Sequence, residues 1–261
     1  MEFLADRFDM LEIAQTFTEM IRPELARLWA SKVDHNRRFQ FTARLNRRFT
    51  HERSLDRDEL KQFSEGLRPL VDQGKLGCVL MQFPYSFRYT EENKDFLIRL
   101  RRALHPMPLV AELRHKTWST QEGIGTLIDY HVGYCNLDQP QTVRAAAPSA
   151  HLTWRIGYVK LHGQVAGPSH EDFGRPEDDI REEAAGKDYL YTLSELQGWR
   201  QRVDRVARFS DQTFVVFANH GAGKSVVNAM QMQGLLGTSE RRVVTPMSAG
   251  SSKKNVLTAV A

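Results

Sequence analysis

The chain has 261 residues, of which 41% are hydrophobic, and its 36 Lys and Arg against 32 Asp and Glu give a formal net charge of +4. That apolar share supports a large core and excludes a disordered chain, while no apolar run reaches the ~18 residues of a membrane span. The first ten residues lack the apolar block of a secretory signal. Cys78 and Cys135 both fall in apolar runs, so we expect two buried thiols in a reducing, cytoplasmic setting.

Short apolar runs typical of buried strands alternate with amphipathic stretches along the chain. The runs are Met10–Ile13, Phe39–Leu45, Cys78–Met81, Leu109–Leu113, Val132–Leu137, Gly157–Leu161 and Phe214–Ala218. Helical spacing of apolar residues marks Glu19–Val33, Asp56–Asp72, Thr90–Leu104, Leu193–Phe209 and Lys224–Leu236. Strands separated by helices predict βαβ units and a parallel sheet, and the length suits an α/β barrel of the TIM type. We therefore predict a single domain over residues 1–240.

Two segments depart from this pattern. Ser169–Asp188 is dense in acidic residues, which is typical of a solvated loop, and a lid over a site is the alternative. The tail from Arg241 to Ala261 is rich in small and polar residues, so we expect it to be loosely ordered.

Ionisable and amide side chains stand where the predicted strands end. Side chains two apart on a strand share a face, so Glu112 points the same way as Arg114, and Lys160 the same way as His162. In a closed parallel barrel, functional groups gather at the carboxyl ends of the strands. The sequence therefore predicts a polar site at that mouth. Its candidate residues are Glu12, Arg44, Gln82, Glu112, Arg114, Asp138, Lys160, His162 and Asn219.

The predicted site contains three cationic and three acidic side chains, so its formal charge is balanced. One interpretation is a paired network that only closes the end of the barrel. Against it, an apolar plug would be at least as stable as buried ion pairs. Keeping so many polar groups at strand ends therefore favours a polar ligand.

The sequence contains partial signals for two other kinds of site, a P-loop and a metal site. His220–Ser225 resembles a P-loop, but the first glycine of that pattern is replaced by Ala218, which argues against nucleotide hydrolysis. The loop can still bind a phosphate, since it precedes a helix. Glu112, Asp138 and His162 include metal-ligand types, but the nearby Arg and Lys charges oppose a dication. We expect no metal and no other cofactor.

A series of motifs runs through nearly the whole chain, to about residue 237. They are Glu12–Phe17, Phe39–Arg44 with Thr50 and His51, Lys75–Pro84, Val110–His115 with Trp118, Asp138–Pro140, Tyr158–Gly163, Tyr189 with Tyr191, and Phe217–His220. In order and spacing they resemble the YecE-like family, domain of unknown function 72. The resemblance implies a (β/α)8-type barrel and a site at its mouth, but no reaction, because the family has no established biochemical function.

The chain differs from the family pattern in several places. The Gly-rich, Trp-containing first strand that usually precedes the Glu-Ile motif is absent, which predicts a barrel with seven recognisable strands and a gap at the first. Ala14 and Ala218 replace family asparagines, and Thr18 replaces a tyrosine. Arg44 and Lys160 exchange Lys for Arg and Arg for Lys, which keeps the charge but changes the hydrogen-bonding geometry.

The first functional hypothesis is an enzyme that acts on a small polar or anionic substrate, such as a sugar or phosphate ester. Cationic side chains would hold anionic oxygens by charge-assisted hydrogen bonds. Glu112 or Asp138 would serve as general base and His162 as general acid. The residues assigned to substrate binding are Glu12, Arg44, Gln82, Arg114, Lys160 and Asn219.

Two further hypotheses remain open. The first is a nucleic-acid-binding or phosphodiesterase-like barrel, which rests on the basic charge balance and on fold-level analogy. It is not favoured, because a duplex binder needs many phosphate contacts spread over one face. The second is a catalytically silent barrel, suggested by the missing strand and the lost asparagines. We expect no membrane partner, and nothing in the sequence assigns an oligomeric state.

Overall fold

The computed structural model describes residues 1–141, 143–164, 188–237 and 256–260. Within them, eight parallel strands follow one another around a single sheet in chain order. The strands are β1 Met10–Ile13, β2 Gln40–Arg44, β3 Leu76–Gln82, β4 Leu109–Glu112, β5 Gly133–Asp138, β6 Ile156–Leu161, β7 Gln212–Phe217 and β8 Val256–Val260. β8 pairs with β7 and lies beside β1, so the sheet is a nearly closed barrel. The predicted TIM-type α/β barrel is confirmed.

Helices on the outside of the barrel connect most of the strands. They are α1 Glu2–Ala5, α2 Pro23–Lys32, α3 Arg47–Thr50, α4 Arg57–Asp72, α5 Glu91–Ala103, α6 Gln121–Asp129, α7 Leu193–Ala207 and α8 Lys224–Leu236. Side-chain caps begin several of them: the Asp56 carboxylate accepts from the amides of Asp58 and Glu59, and Thr192 forms a capping box with Glu195.

The prediction of seven strands with a gap is wrong, because the C-terminal segment supplies another strand. Val256–Val260 pairs in parallel with β7 along Thr213–Phe217. A strand preceding β1 would occupy the same place, between the last βα unit and β1. The segment Val-Leu-Thr-Ala-Val contains three β-branched residues, which suit a strand. The loose order of the tail was inferred from the composition of all of residues 241–261, which does not reveal this short run. That prediction is wrong for Val256–Val260. Residues 241–255 and 261 lie outside the described residues.

Alternation along the strands divides the core into an inner and an outer layer. Every second residue of a strand points into the barrel interior, as do Cys78 and Leu80 on β3 and Cys135 and Leu137 on β5. Leu257 of β8 belongs to this set, so the eighth strand also contributes to the interior. The intervening residues, including Val159 and Leu161, pack against the helices.

Close packing between α4 and the segment before α2 depends on a glycine. A Cβ on Gly66 would lie 2.4 Å from the Ile21 carbonyl oxygen, a backbone atom that cannot turn aside. We expect Gly66→Ala to lower the free energy of unfolding by about 1–3 kcal/mol. Gly125→Ala, in α6 with open space around the new Cβ, should instead raise it by about 0.5–1 kcal/mol. Urea unfolding of both variants checks this, and equal effects would contradict it.

Candidate active site

Seven of the nine predicted site residues lie on the inner side of the barrel, at or just beyond the carboxyl ends of the strands. Glu12 shares the inner face of β1 with Met10, and Lys160 shares that of β6 with Tyr158. The inner residues are Glu12, Arg44, Gln82, Glu112, Arg114, Lys160 and His162. All seven are buried, and six of them are joined directly by hydrogen bonds.

Lys160 links the two carboxylates at the centre of this cluster. Its Nζ donates to Glu12 Oε1 and to Glu112 Oε2, both at 3.0 Å. None of these three side chains is exposed to solvent. The ammonium therefore connects β6 to β1 on one side and to β4 on the other, across the inside of the barrel.

Glu12 has two further partners, one of which sequence reasoning missed. Arg44 Nε donates to Glu12 Oε1 at 2.7 Å, and the Tyr158 hydroxyl donates to Glu12 Oε2 at 2.6 Å. The Tyr158 hydroxyl also lies 3.2 Å from Thr42 Oγ1. Tyr158 stands two residues before Lys160 on the same strand, so the spacing that grouped Lys160 with His162 also predicts this neighbour.

Glu112 is the partner of the two residues nearest the mouth. Arg114 Nε and one of its terminal nitrogens each lie 3.2 Å from Glu112 Oε1, and His162 Nε2 lies 3.2 Å from the same oxygen. The predicted same-face pair Glu112 and Arg114 is thus in contact. Gln82 is buried beside Glu112, because the two are register partners on β3 and β4.

These contacts hold both carboxyl groups in their charged form. Burial by itself would raise the pKa of Glu12, but the charges of Lys160 and Arg44 outweigh it and lower the pKa to about 2. Burial likewise opposes ionisation of Glu112, and Lys160 with His162 and Arg114 lowers its pKa well below the usual value. Burial lowers the pKa of His162, and the Glu112 carboxylate offsets only part of that effect.

Asp138 and Asn219 lie on the opposite side of the sheet from the cluster. Asp138 follows the inward-facing Leu137, so its side chain points toward the helices. Gln164 Nε2 donates to Asp138 Oδ1 at 2.6 Å, and burial raises the Asp138 pKa. Asn219 Nδ2 donates to the Tyr189 carbonyl at 2.8 Å and to Asn228 Oδ1 at 2.9 Å.

This placement corrects the expected charge balance of the site. Within the inner cluster, the ion pairs of the described residues join the cationic side chains of Arg44, Arg114 and Lys160 to the two carboxylates of Glu12 and Glu112, and Asp138 lies outside this network. A position at the end of an apolar run does not by itself place a side chain at the mouth. The physical reason for the difference is that consecutive strand residues face opposite sides, so the last residue of a strand faces inward or outward according to register.

The remaining candidate features are accounted for by other contacts. Lys224 of the P-loop-like segment donates to the carbonyl and to Oδ1 of Asp188, both at 2.7 Å. Burial raises the pKa of Cys78 and of Cys135 well above the usual value, which keeps both thiols protonated. Apart from Asp188, the predicted acidic loop or lid lies outside the described residues.

The described part of the chain contains neither a candidate metal site nor a membrane-spanning helix. There, no three His, Cys, Asp or Glu side chains converge in a way that could hold a metal ion. No helix in the same ranges is long and apolar enough to cross a membrane.

Comparison with known proteins identifies relatives over most of the chain. The family described as "Protein of unknown function DUF72" matches residues 1–253. The UPF0759 protein YunF of Bacillus subtilis (strain 168) is 24% identical over 181 residues, which cover 67% of this chain and 62% of YunF. The chain thus spans less than two thirds of that relative.

Solved structures of the same family share the barrel. A DUF72 family protein from Enterococcus faecalis V583 superposes with a TM-score of 0.78 at 19% identity, covering 92% of this chain and 89% of that one. A DUF72 family protein from Thermotoga maritima MSB8 gives a TM-score of 0.73 at 24% identity, covering 88% and 85%. The family match and the common fold confirm the resemblance drawn from the motifs, and the chain belongs to the DUF72 family of proteins of unknown function.

Proposed function

We propose that this protein is an enzyme that binds a small anionic substrate, of the phosphate-ester or sugar class, at the carboxyl-end mouth of the barrel. In this proposal His162 accepts a proton from the substrate. The observation that carries it is the contact between His162 Nε2 and Glu112 Oε1, at 3.2 Å, beside the Arg114 guanidinium. A histidine oriented by a buried carboxylate is a common arrangement for general-base chemistry.

The contact with Glu112 determines which nitrogen of His162 can accept a proton. A carboxylate offers only acceptor oxygens, so Nε2 must carry the hydrogen in this contact. Nδ1 is then the acceptor of the neutral ring. Because burial lowers the pKa of His162, the imidazole is neutral at pH 7 and able to take up a proton. We therefore expect activity to decline as the pH falls through the lowered pKa of His162.

These roles differ from those suggested by the sequence. Glu112 is a poor base, because the cations around it lower its pKa well below the usual value. Asp138 points away from the inner cluster and has no contact with His162 through its carboxyl group. In this proposal His162 takes the role of base, and Glu112 orients it.

The same geometry separates the residues that meet a substrate from those that support them. Side-chain exposure is 11% for Arg44, 10% for His162 and 4% for Arg114, whereas the side chains of Glu12 and Lys160 are fully covered. A guanidinium has five N–H donors, so it can hold a substrate oxygen while Nε stays bonded to a carboxylate. Arg44 and Arg114 are therefore the proposed anion-binding groups. Glu12 holds Arg44 and Glu112 holds Arg114, and Lys160 links the two carboxylates.

Thermal unfolding with inorganic phosphate tests the binding step. At a phosphate concentration of 100 times Kd, we expect a stabilisation of about 2.7 kcal/mol. Arg114→Lys keeps the charge but loses the two-pronged donor geometry, so phosphate should stabilise it much less. Arg155→Lys is the matched control, because Arg155 pairs with Asp211 in an exposed contact at the other end of β6. Equal phosphate stabilisation of both variants would contradict the assignment of Arg114.

Turnover of a panel of phosphate esters and sugar phosphates, by wild type and His162→Gln, tests the chemical step. No turnover of any ester by wild type, despite phosphate binding, would favour the silent barrel. Duplex DNA binding with a salt slope of six or more phosphate contacts would instead favour the nucleic-acid hypothesis.

A further inference from the structure

A buried tyrosine on the outer side of the sheet is bonded to the residue that follows His162. The Gly163 amide donates to the Tyr191 hydroxyl at 2.7 Å, and Tyr191 is 2% exposed. Gly163 has a φ of 96°, so the chain leaves the direction of β6 immediately after His162. The hydrogen bond from the Gly163 amide therefore holds the turn directly after His162, and the turn in part sets the orientation of the His162 backbone.

The position of Tyr191 is itself fixed by contacts on several sides. Its amide donates to Asn228 Oδ1 at 3.1 Å, and Asn228 Nδ2 donates to its carbonyl at 3.0 Å. Asn228 lies on α8 and is fully buried. The Tyr191 ring packs edge-on against Tyr189 and Phe217, with centroids 4.9 Å and 6.1 Å away. The phenol is therefore held relative to both α8 and β7.

Asp138 contacts the same turn through its backbone and its side chain. Its carbonyl accepts from the His162 amide at 2.9 Å, and its Oδ1 accepts from Gln164. Because the Tyr191 hydroxyl accepts from Gly163, its own hydrogen can point toward the Asp138 carboxyl, and that interaction contributes to the raised Tyr191 pKa after burial. The other carboxylate oxygen, Asp138 Oδ2, is buried and has no hydrogen-bond partner among the described residues.

We propose that Tyr191 is a positioning residue for His162, acting through the Gly163 amide, with Asn228 and Asp138 as its supports. The proposal rests on the role given to His162 above, but its structural part does not require a substrate. It gives a function to Asp138, which lies outside the inner cluster. Asp138 and Tyr191 hold the backbone turn that begins at His162, while Glu112 holds the His162 imidazole.

Titration of His162 by nuclear magnetic resonance tests the proposal in the full-length protein. The charged groups that face the His162 ring are Glu112, Arg114 and Lys160, and burial is the largest influence on it. If Tyr191→Phe frees the turn, the ring leaves this environment and its pKa should rise toward the ordinary value of about 6.5. Tyr189→Phe is the matched control, because the Tyr189 hydroxyl bonds to Glu195 and not to the turn. Its His162 titration should equal that of wild type.

Amide hydrogen exchange gives a second measurement, and its wild-type result tests the proposal even if Tyr191→Phe does not fold. In wild type the Gly163 amide should exchange slowly, and in Tyr191→Phe about two- to tenfold faster, as for the loss of one ordinary hydrogen bond. A folded Tyr191→Phe with an unchanged His162 titration would overturn the proposal, as would an unprotected Gly163 amide in wild type. Failure of inorganic phosphate to bind wild type would contradict the proposed function only, since neither readout uses a ligand.

Discussion

Lys160→Met is expected to lower the free energy of unfolding by about 3–5 kcal/mol, the typical cost of removing one partner from a buried ion pair. The substitution leaves Glu12 and Glu112 fully buried without the ammonium that each accepts from at 3.0 Å. Arg44 still bonds to Glu12 and Arg114 still bonds to Glu112, but the ammonium that links the two carboxylates is lost. Urea unfolding at pH 7 measures the effect.

Two further variants isolate the cause of this loss. Lys61→Met removes a lysine that forms an exposed pair with Glu65 on α4, and it should leave stability essentially unchanged. The triple variant Glu12→Gln, Glu112→Gln and Lys160→Met should recover part of the loss, because it removes the uncompensated charges. Equal stability of Lys160→Met and Lys61→Met would mean that the buried network is not formed.

Acidification from pH 4.5 to pH 2 should cost about 3 kcal/mol of stability through Glu12 alone. The pKa of Glu12 is lowered from 4.5 to about 2 in the folded protein, so the unfolded chain binds the proton more tightly. The stabilisation is therefore present above pH 4.5 and is lost as the pH falls toward 2. Glu112, whose pKa is also lowered, adds to the loss in the same direction. Urea unfolding at a series of pH values measures it.

Glu12→Gln is the control for this pH dependence. The variant lacks the titrating group, so its stability should change less steeply between pH 4.5 and pH 2 than that of wild type, even though it is less stable at pH 7. An identical slope in the two proteins would show that Glu12 is not the group responsible.

Most strands and long helices of this barrel could be predicted from the sequence, because burial of one or both faces of an element determines where its apolar residues recur. The predicted helix Leu193–Phe209, for example, is α7, Leu193–Ala207. The missed helix α6 is short and contains Gly123 and Gly125, which weaken the helical signal. β8 was missed because five residues in a small-residue tail form a strand only when a partner edge is available.

The inner cluster could be predicted in part. The two-residue spacing of Glu112 with Arg114, and of Lys160 with His162, placed each pair on one face, as observed from their contacts with Glu112. The family motif contained Tyr191 but gave no role to it, because its hydroxyl acts on Gly163, 28 residues away along the chain. Such a contact depends on how α8 and β7 pack against the segment that precedes α7, which no local spacing encodes.

The sequence by itself determined the alternation of strands and helices, the barrel class and the residue types at the strand ends, because local periodicity and side-chain chemistry are properties of neighbouring residues. The tertiary structure alone decided which polar residues meet. Glu12, Glu112 and Lys160 come from three strands and join only when the sheet curves into a nearly closed barrel. Asp138, one residue beyond the inward-facing Leu137, falls on the other side. The strand register makes that difference, and packing across the whole sheet sets it.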